Sequence, residues 1–261
     1  MGQVGWSNAV SETLKLAGID VGFSEVRNCT GLAFLDGETL TVTKASCSVE
    51  NRKLKTPTDF LPAVAAFDGP IASETVKRKC EYTFSKMPFN KRCKPGLSHF
   101  GTGLKLRLAT AKTISDFTGI FMSGGTVIVE AFPNLFLGVL LPDEVYQQQP
   151  VLKRGKRFDW LYDEVTKREI AEGKMKPVLP QVFWDRWKTE KDHDRRAALV
   201  CLLTAALHHK GLSYMAGDEE GGYFCLPAMH LWENWAVKGL EASPDLQFSA
   251  AVSNQRVMPI S

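Results

Sequence analysis

Four places in this chain set an acidic residue where an apolar run ends or begins. Asp20 sits in Gly18-Ile19-Asp20-Val21-Gly22, within the apolar stretch 14–23. Asp68 follows Ala63-Val64-Ala65-Ala66-Phe67 and precedes Gly69-Pro70. Glu130 follows Val127-Ile128-Val129, and Asp192, His193 and Asp194 open a long run of helix-forming residues. A carboxylate in a buried strand is costly unless a salt bridge or a metal ion compensates it. For Asp20 both compensations are open. Asp68 also suits the start of a turn, Glu130 could face solvent, and the acids at residues 192–194 could simply favour a helix N-terminus.

Taken together, three strand ends that each deliver one acid point to a shared site for a hard divalent cation, Mg²⁺ or Mn²⁺. Such ions take oxygen ligands, commonly one or two carboxylates plus water and substrate phosphate. Two ions roughly 3.5–4 Å apart can activate water and stabilise the leaving oxygen of a phosphodiester. On the helix, residues three and four apart share a face. Asp194 therefore lies above the small residues Ala197, Ala198, Cys201 and Ala205, a stripe suited to close packing on a sheet. Asp192 lines up with Arg196, Leu199 and Leu203 and is expected to cap or pair locally. Asp194 is the expected fourth ligand, with His193 as its alternative.

Two segments are rich in cations: Lys77, Arg78, Lys79, Lys86, Lys91, Arg92 and Lys94, then Lys153, Arg154, Lys156 and Arg157. Each is either a solvated surface or a patch for nucleic-acid phosphates, which fix position without reading sequence. Arg78 and Lys79 are the expected contacts in the first segment, and Lys153, Arg154, Lys156 and Arg157 in the second. Trp160, Trp184 and Trp187 could stack on bases or pack in a core. Cys80, Cys93 and His99 are a weak alternative metal set, since no close pair of cysteines exists.

The elements that position these residues follow from the apolar pattern. Residues 14–23, 31–35 and 38–43 read as strands, the last two joined by Asp36-Gly37, a hairpin signal. Residues 63–67 and 126–129 read as buried parallel strands. Helices are expected over 104–117, 134–141, 157–172, 180–188 and 192–210. Residues 74–101 look like an irregular basic insertion, and 143–190 like a second, helical insertion or lid. The order is three hairpin strands, then helices alternating with strands, then further helix. That gives an α/β fold with a mixed sheet covered by helices, whose sites form beyond the strand ends.

The 261 residues, 44% hydrophobic and 23% charged, fit one domain. The net charge of +3 excludes a strong general polyanion binder. Residues 1–11 lack the pattern of a secretory signal, and no apolar run reaches the roughly 20 residues of a membrane helix. A cytosolic location with reduced thiols is expected.

Five short motifs occur in order: Ala17-Gly-Ile-Asp20-Val-Gly, Ala66-Phe-Asp68-Gly-Pro, Val129-Glu130-Ala-Phe-Pro133, Ala198-Leu-Val-Cys201-Leu-Leu-Thr204-Ala, and Gly217-Asp-Glu-Glu-Gly221 with Pro227. Together they resemble the family called domain of unknown function 429, predicted nucleases with an RNase H-like fold. The resemblance runs from about residue 15 to 227. It implies a metal-dependent nuclease core, with Asp20 as the first-strand acid, Asp68 as the acid after the fourth strand, and Glu130 in the family's Val-Glu-x-x-Pro element. Ala197 departs from the aspartate that the family often carries there, so Asp194 or His193 would have to substitute. A non-catalytic nucleic-acid or protein binder on the same fold is the second reading. A third is a phosphotransferase of the actin-like and sugar-kinase group, suggested by Ile19-Asp20 on a first hairpin and by Ser123-Gly124-Gly125-Thr126.

Overall fold

The computed structural model describes residues 13–24, 26–71, 77–93, 96–120, 125–153 and 155–243. Residues 1–11, Lys94, Ser123, Gly124 and Arg154 lie outside them, as does part of the expected insertion at 74–101.

The chain opens with three strands, β1 (Lys15–Asp20), β2 (Thr30–Asp36) and β3 (Thr39–Ala45), paired antiparallel in sequence order. A short helix α1 (Val49–Lys55), capped by Ser48 through the Asn51 N–H, leads to β4 (Val64–Asp68). Next come α2 (Lys79–Phe84), α3 (Phe89–Cys93), α4 (Gly101–Ile120) and β5 (Val127–Ala131). Helices α5 (Pro133–Gly138), α6 (Asp143–Gln147), α7 (Arg157–Lys167), α8 (Ile170–Met175), α9 (Gln181–Thr189) and α10 (His193–His209) follow. The described chain closes with β6 (Ser213–Asp218), β7 (Gly222–Pro227) and α11 (Asn234–Glu241).

The seven strands make one mixed sheet in the order β3-β2-β1-β4-β5-β7-β6, with β1, β4, β5 and β7 parallel. The hairpin β6–β7 corrects the expectation of helix alone after residue 210. Its strands are short and only half-buried at their outer ends, so the apolar signal is weak there. Residues 79–84 and 89–93 are likewise helical rather than irregular.

Because successive strand residues alternate between faces, β1 and β4 feed two separate cores. Leu16, Val64 and Ala66 pack on the α10 side, and Ala17, Ile19, Ala65 and Phe67 pack with Phe60, Ile114 and Phe117 on the α4 side. Every residue of α10 from Arg196 to Leu207 is buried, as expected of a helix that is covered all round. The sheet covers one side. Phe158, Leu161, Tyr162, Val165, Trp184 and Trp187 of α7 and α9 belong to the same core. Trp184 and Trp187 are thus packing residues and unavailable to stack on bases. No helix among the described residues is long and apolar enough to cross a membrane.

Contact between α10 and the sheet is made backbone to backbone. A methyl group at Gly18 would overlap the Leu202 amide nitrogen and the Ala198 carbonyl oxygen, and one at Gly31 would overlap the Asp194 carbonyl. Only glycine permits that approach, and it sets the first turn of α10 beside the end of β1.

Candidate functional site

Asp20 and Asp68 are the last residues of β1 and β4 and are partners in the parallel register. Neighbouring strands run about 4.8 Å apart, and in-register residues point to the same face. Asp20 shares its face with Leu16 and Gly18, and Asp68 with Val64 and Ala66, so both carboxylates turn toward α10. The structure therefore brings these two expected residues together. Each keeps partial access to solvent, yet neither receives a hydrogen bond or ion pair from a side chain among the described residues.

Their acidities show the cost. Burial, then the charge of Asp68, then those of Asp194 and Cys29, raise the Asp20 carboxyl well above the usual carboxylate range, against a smaller opposing pull from Lys44. Burial and the charge of Glu130 push Asp68 up to about 7. Beneath them on α10, burial and the charges of Asp68 and Asp20 raise the Cys201 thiol. The charge of Lys44 thus does not compensate the two adjacent carboxylates, and a hard divalent ion would.

Asp194 lies close enough for its charge to raise Asp20, but it is not free. Lys44, at the end of β3, reaches Asp194 Oδ2 at 2.5 Å and Asp192 Oδ2 at 3.0 Å. Despite partial burial, Asp194 and Asp192 raise the Lys44 ammonium above its ordinary value. Asp192 caps α10 as expected, accepting the Arg195 N–H at 3.1 Å. The turn before it is held by Glu190, whose Oε1 accepts the N–H groups of Lys191 and Asp192 at 2.8 Å each. Lys44 was not visible as a site residue in the sequence. Its only signal is its place at the end of a half-exposed alternating strand, 148 residues from Asp192.

His193 is placed elsewhere, which corrects its part as an alternative ligand. Its Nδ1 lies 2.9 Å from Asp159 Oδ1 and its ring packs edge-on against Phe158, so it faces α7.

Glu130 is a larger correction. In the β4–β5 register it pairs with Phe67, not Asp68. A shift of one residue reverses the face, so Glu130 points away from α10. Its carboxylate is already held: Arg78 Nη1 donates to Oε1 at 2.8 Å, Arg78 Nη2 to Oε2 at 2.7 Å, and the Ile71 N–H to Oε2 at 2.9 Å. Burial raises the Glu130 carboxyl in spite of the opposing Arg78 charge. Its charge still reaches Asp68, but its oxygens do not join the pair.

Arg78 is equally displaced from its expected part as a phosphate contact. It is fully buried, stacks over Phe224 at 5.2 Å, and also donates to Glu81 and to the Gly221 carbonyl. Lys79 is exposed and paired with Asp218 at 3.0 Å. In the second basic segment Lys156 pairs with Asp159, and Arg157 bonds Gln149 and lies over Trp160. Lys153 is exposed, and Arg154 lies outside the described residues. The basic segments are thus largely paired internally. Cys80 and Cys93 are buried in separate helices.

Among the described residues no group of three or more His, Cys, Asp or Glu side chains is arranged to hold a metal ion. The donor set is the two carboxylates Asp20 and Asp68, with Asp194 adjacent but occupied by Lys44. No family model, no curated protein and no solved structure matches this chain.

Proposed function

We propose that this chain is a metal-dependent nuclease of RNase H-like fold, hydrolysing phosphodiester bonds of nucleic acid at Asp20 and Asp68. The observation that carries the reading is the in-register pair itself: two neighbouring carboxylates on one face, at strand ends, whose raised pKa values Lys44 does not offset. The resemblance to the domain of unknown function 429 family supports it, as does the antiparallel meander followed by parallel strands.

Asp20 and Asp68 would hold Mg²⁺ or Mn²⁺, with water and a substrate phosphate oxygen filling the remaining positions. A bound divalent ion polarises the phosphate and lowers the pKa of a bound water. The chain's own contributions are to fix the two carboxylates on rigid strands, to back them with α10, and to place the Lys44 ammonium beside them. Lys44 uses two of its three N–H donors on Asp192 and Asp194, leaving one for an anionic substrate. In the net reaction water adds its oxygen to phosphorus, one ester P–O bond breaks, and the departing oxygen takes a proton.

The decisive experiment incubates the protein with single-stranded, duplex and branched DNA and RNA in Mn²⁺, Mg²⁺ or EDTA. Cleavage that needs the metal and falls at least a hundredfold in both Asp20→Asn and Asp68→Asn is the expected result. The occupation of Asp194 by Lys44 and of Glu130 by Arg78 favours the second reading, a non-catalytic binder on the same fold. Metal-independent binding without cleavage of any substrate would establish it instead.

A further inference from the structure

On the α4 face, just past the end of β1, lies a recess of about 230 Å³ lined by Gly22, Phe23, Cys47, Arg52, Leu108, Ala109 and Lys112. Its composition is divided. Of its lining, Phe23 is 56% exposed and Leu108 65% exposed, two large apolar side chains left in water. Scattered apolar residues need no explanation, but two lining one recess favour a flat apolar ligand. The other component is cationic. Arg52 is 1% exposed, ion-paired to Asp116 through Nη1, and its buried Nε has no hydrogen-bond partner. A buried donor left unsatisfied is costly and asks for an acceptor. Lys112 is exposed and has no ion pair among the described residues, so Arg52 and Lys112 outnumber Asp116.

The geometry points to a nucleotide-binding subsite, in which a base lies against Phe23 and Leu108 and its phosphate is met by Lys112 and Arg52. Aromatic stacking tolerates any base, and a guanidinium with an ammonium suits a phosphate. The Asp20 and Asp68 carboxylates turn toward α10, so the recess on the α4 face is a site separate from the acid pair. Its ligand is a nucleoside monophosphate, and the inference stands apart from the nuclease reading.

The test titrates the full chain with adenosine 5′-monophosphate, adenosine and inorganic phosphate by calorimetry, in EDTA so that no metal links nucleotide to the acid pair. The monophosphate is expected to saturate one site, with adenosine and phosphate each at least tenfold weaker. Lys112→Glu and Phe23→Ala, both at exposed positions, should each weaken the monophosphate at least tenfold with the melting temperature nearly unchanged. Saturable binding that neither substitution weakens, or no saturable binding, overturns the subsite. If the recess fails this test while Mn²⁺-dependent cleavage persists, only the subsite is wrong. If the recess binds and no substrate is cut, only the nuclease reading is wrong.

Discussion

Two acidic positions lie within one strand of each other and are treated in opposite ways. On the α4 side of the sheet, Glu130 is buried with its charge answered by the bidentate Arg78 and the Ile71 N–H. On the α10 side, Asp20 and Asp68 sit together with Lys44 as the one cation among the described residues that acts on Asp20, and Lys44 is bonded to two other aspartates. The same residue class at the same sheet edge thus serves as a closed ion pair in one place and an open one in the other. A closed pair holds structure, here joining β5 to Ile71 and α2. An open pair is unfavourable until something cationic arrives, which is the condition a ligand site needs.

The comparison is broken most directly by removing the cation from the closed pair. Arg78→Met leaves Glu130 buried and unpaired, and breaking a buried pair on one side costs about 3–5 kcal/mol. Urea unfolding should show that loss, while Asp20→Asn, which relieves repulsion, should leave stability unchanged or raised. A cost below about 1 kcal/mol for Arg78→Met would erase the distinction.

A second effect lies in pH. The folded Asp68 carboxyl, at about 7, stands above its unfolded value of about 3.9. The folded state therefore binds the proton more tightly, and the stability this contributes is complete below about pH 4 and lost as pH rises through 7. Without divalent cations, wild type should gain on Asp68→Asn as pH falls from 7 to 4, by on the order of 1.4 kcal/mol for each pH step of one. Parallel pH profiles of the two proteins would place the Asp68 proton elsewhere.

The smallest effect sharpens the comparison. At pH 8, Mn²⁺ at about a hundred times its dissociation constant should add roughly 2.7 kcal/mol and raise the melting temperature several degrees. Asp20→Asn should abolish the rise and Glu130→Gln should keep it, since only the open pair takes the ion. Loss of the rise in Glu130→Gln would return that residue to the metal site.

The pair Asp20–Asp68 was legible because each acid interrupts a wholly apolar run, a local signal that survives without any knowledge of pairing. The sheet that carries them was legible for the same reason, from three hairpin strands and two apolar runs. The facing of Glu130 was not, because it depends on the β4–β5 register, and one residue of slip reverses the side chain. Arg78 read as one more cation in a basic segment, although its partner lies 52 residues away. Its burial is a tertiary fact with no mark in the local composition. The β6–β7 hairpin did carry a signal, Gly217-Asp218-Glu219-Glu220-Gly221 between two short alternating runs, but its half-exposed strands gave it little weight.

The glycine contacts that seat α10 on β1 and β2 have a consequence in time. Lys44 and Asp192 are 148 residues apart, so a ribosome adding roughly 5–20 residues per second takes about 7–30 s to pass from one to the other. For most of that interval the strands bearing Asp20 and Asp68 exist without the helix that backs them, and Gly18 and Gly31 face no partner. The carboxylate pair is therefore without its backing helix until late in synthesis, when α10 docks.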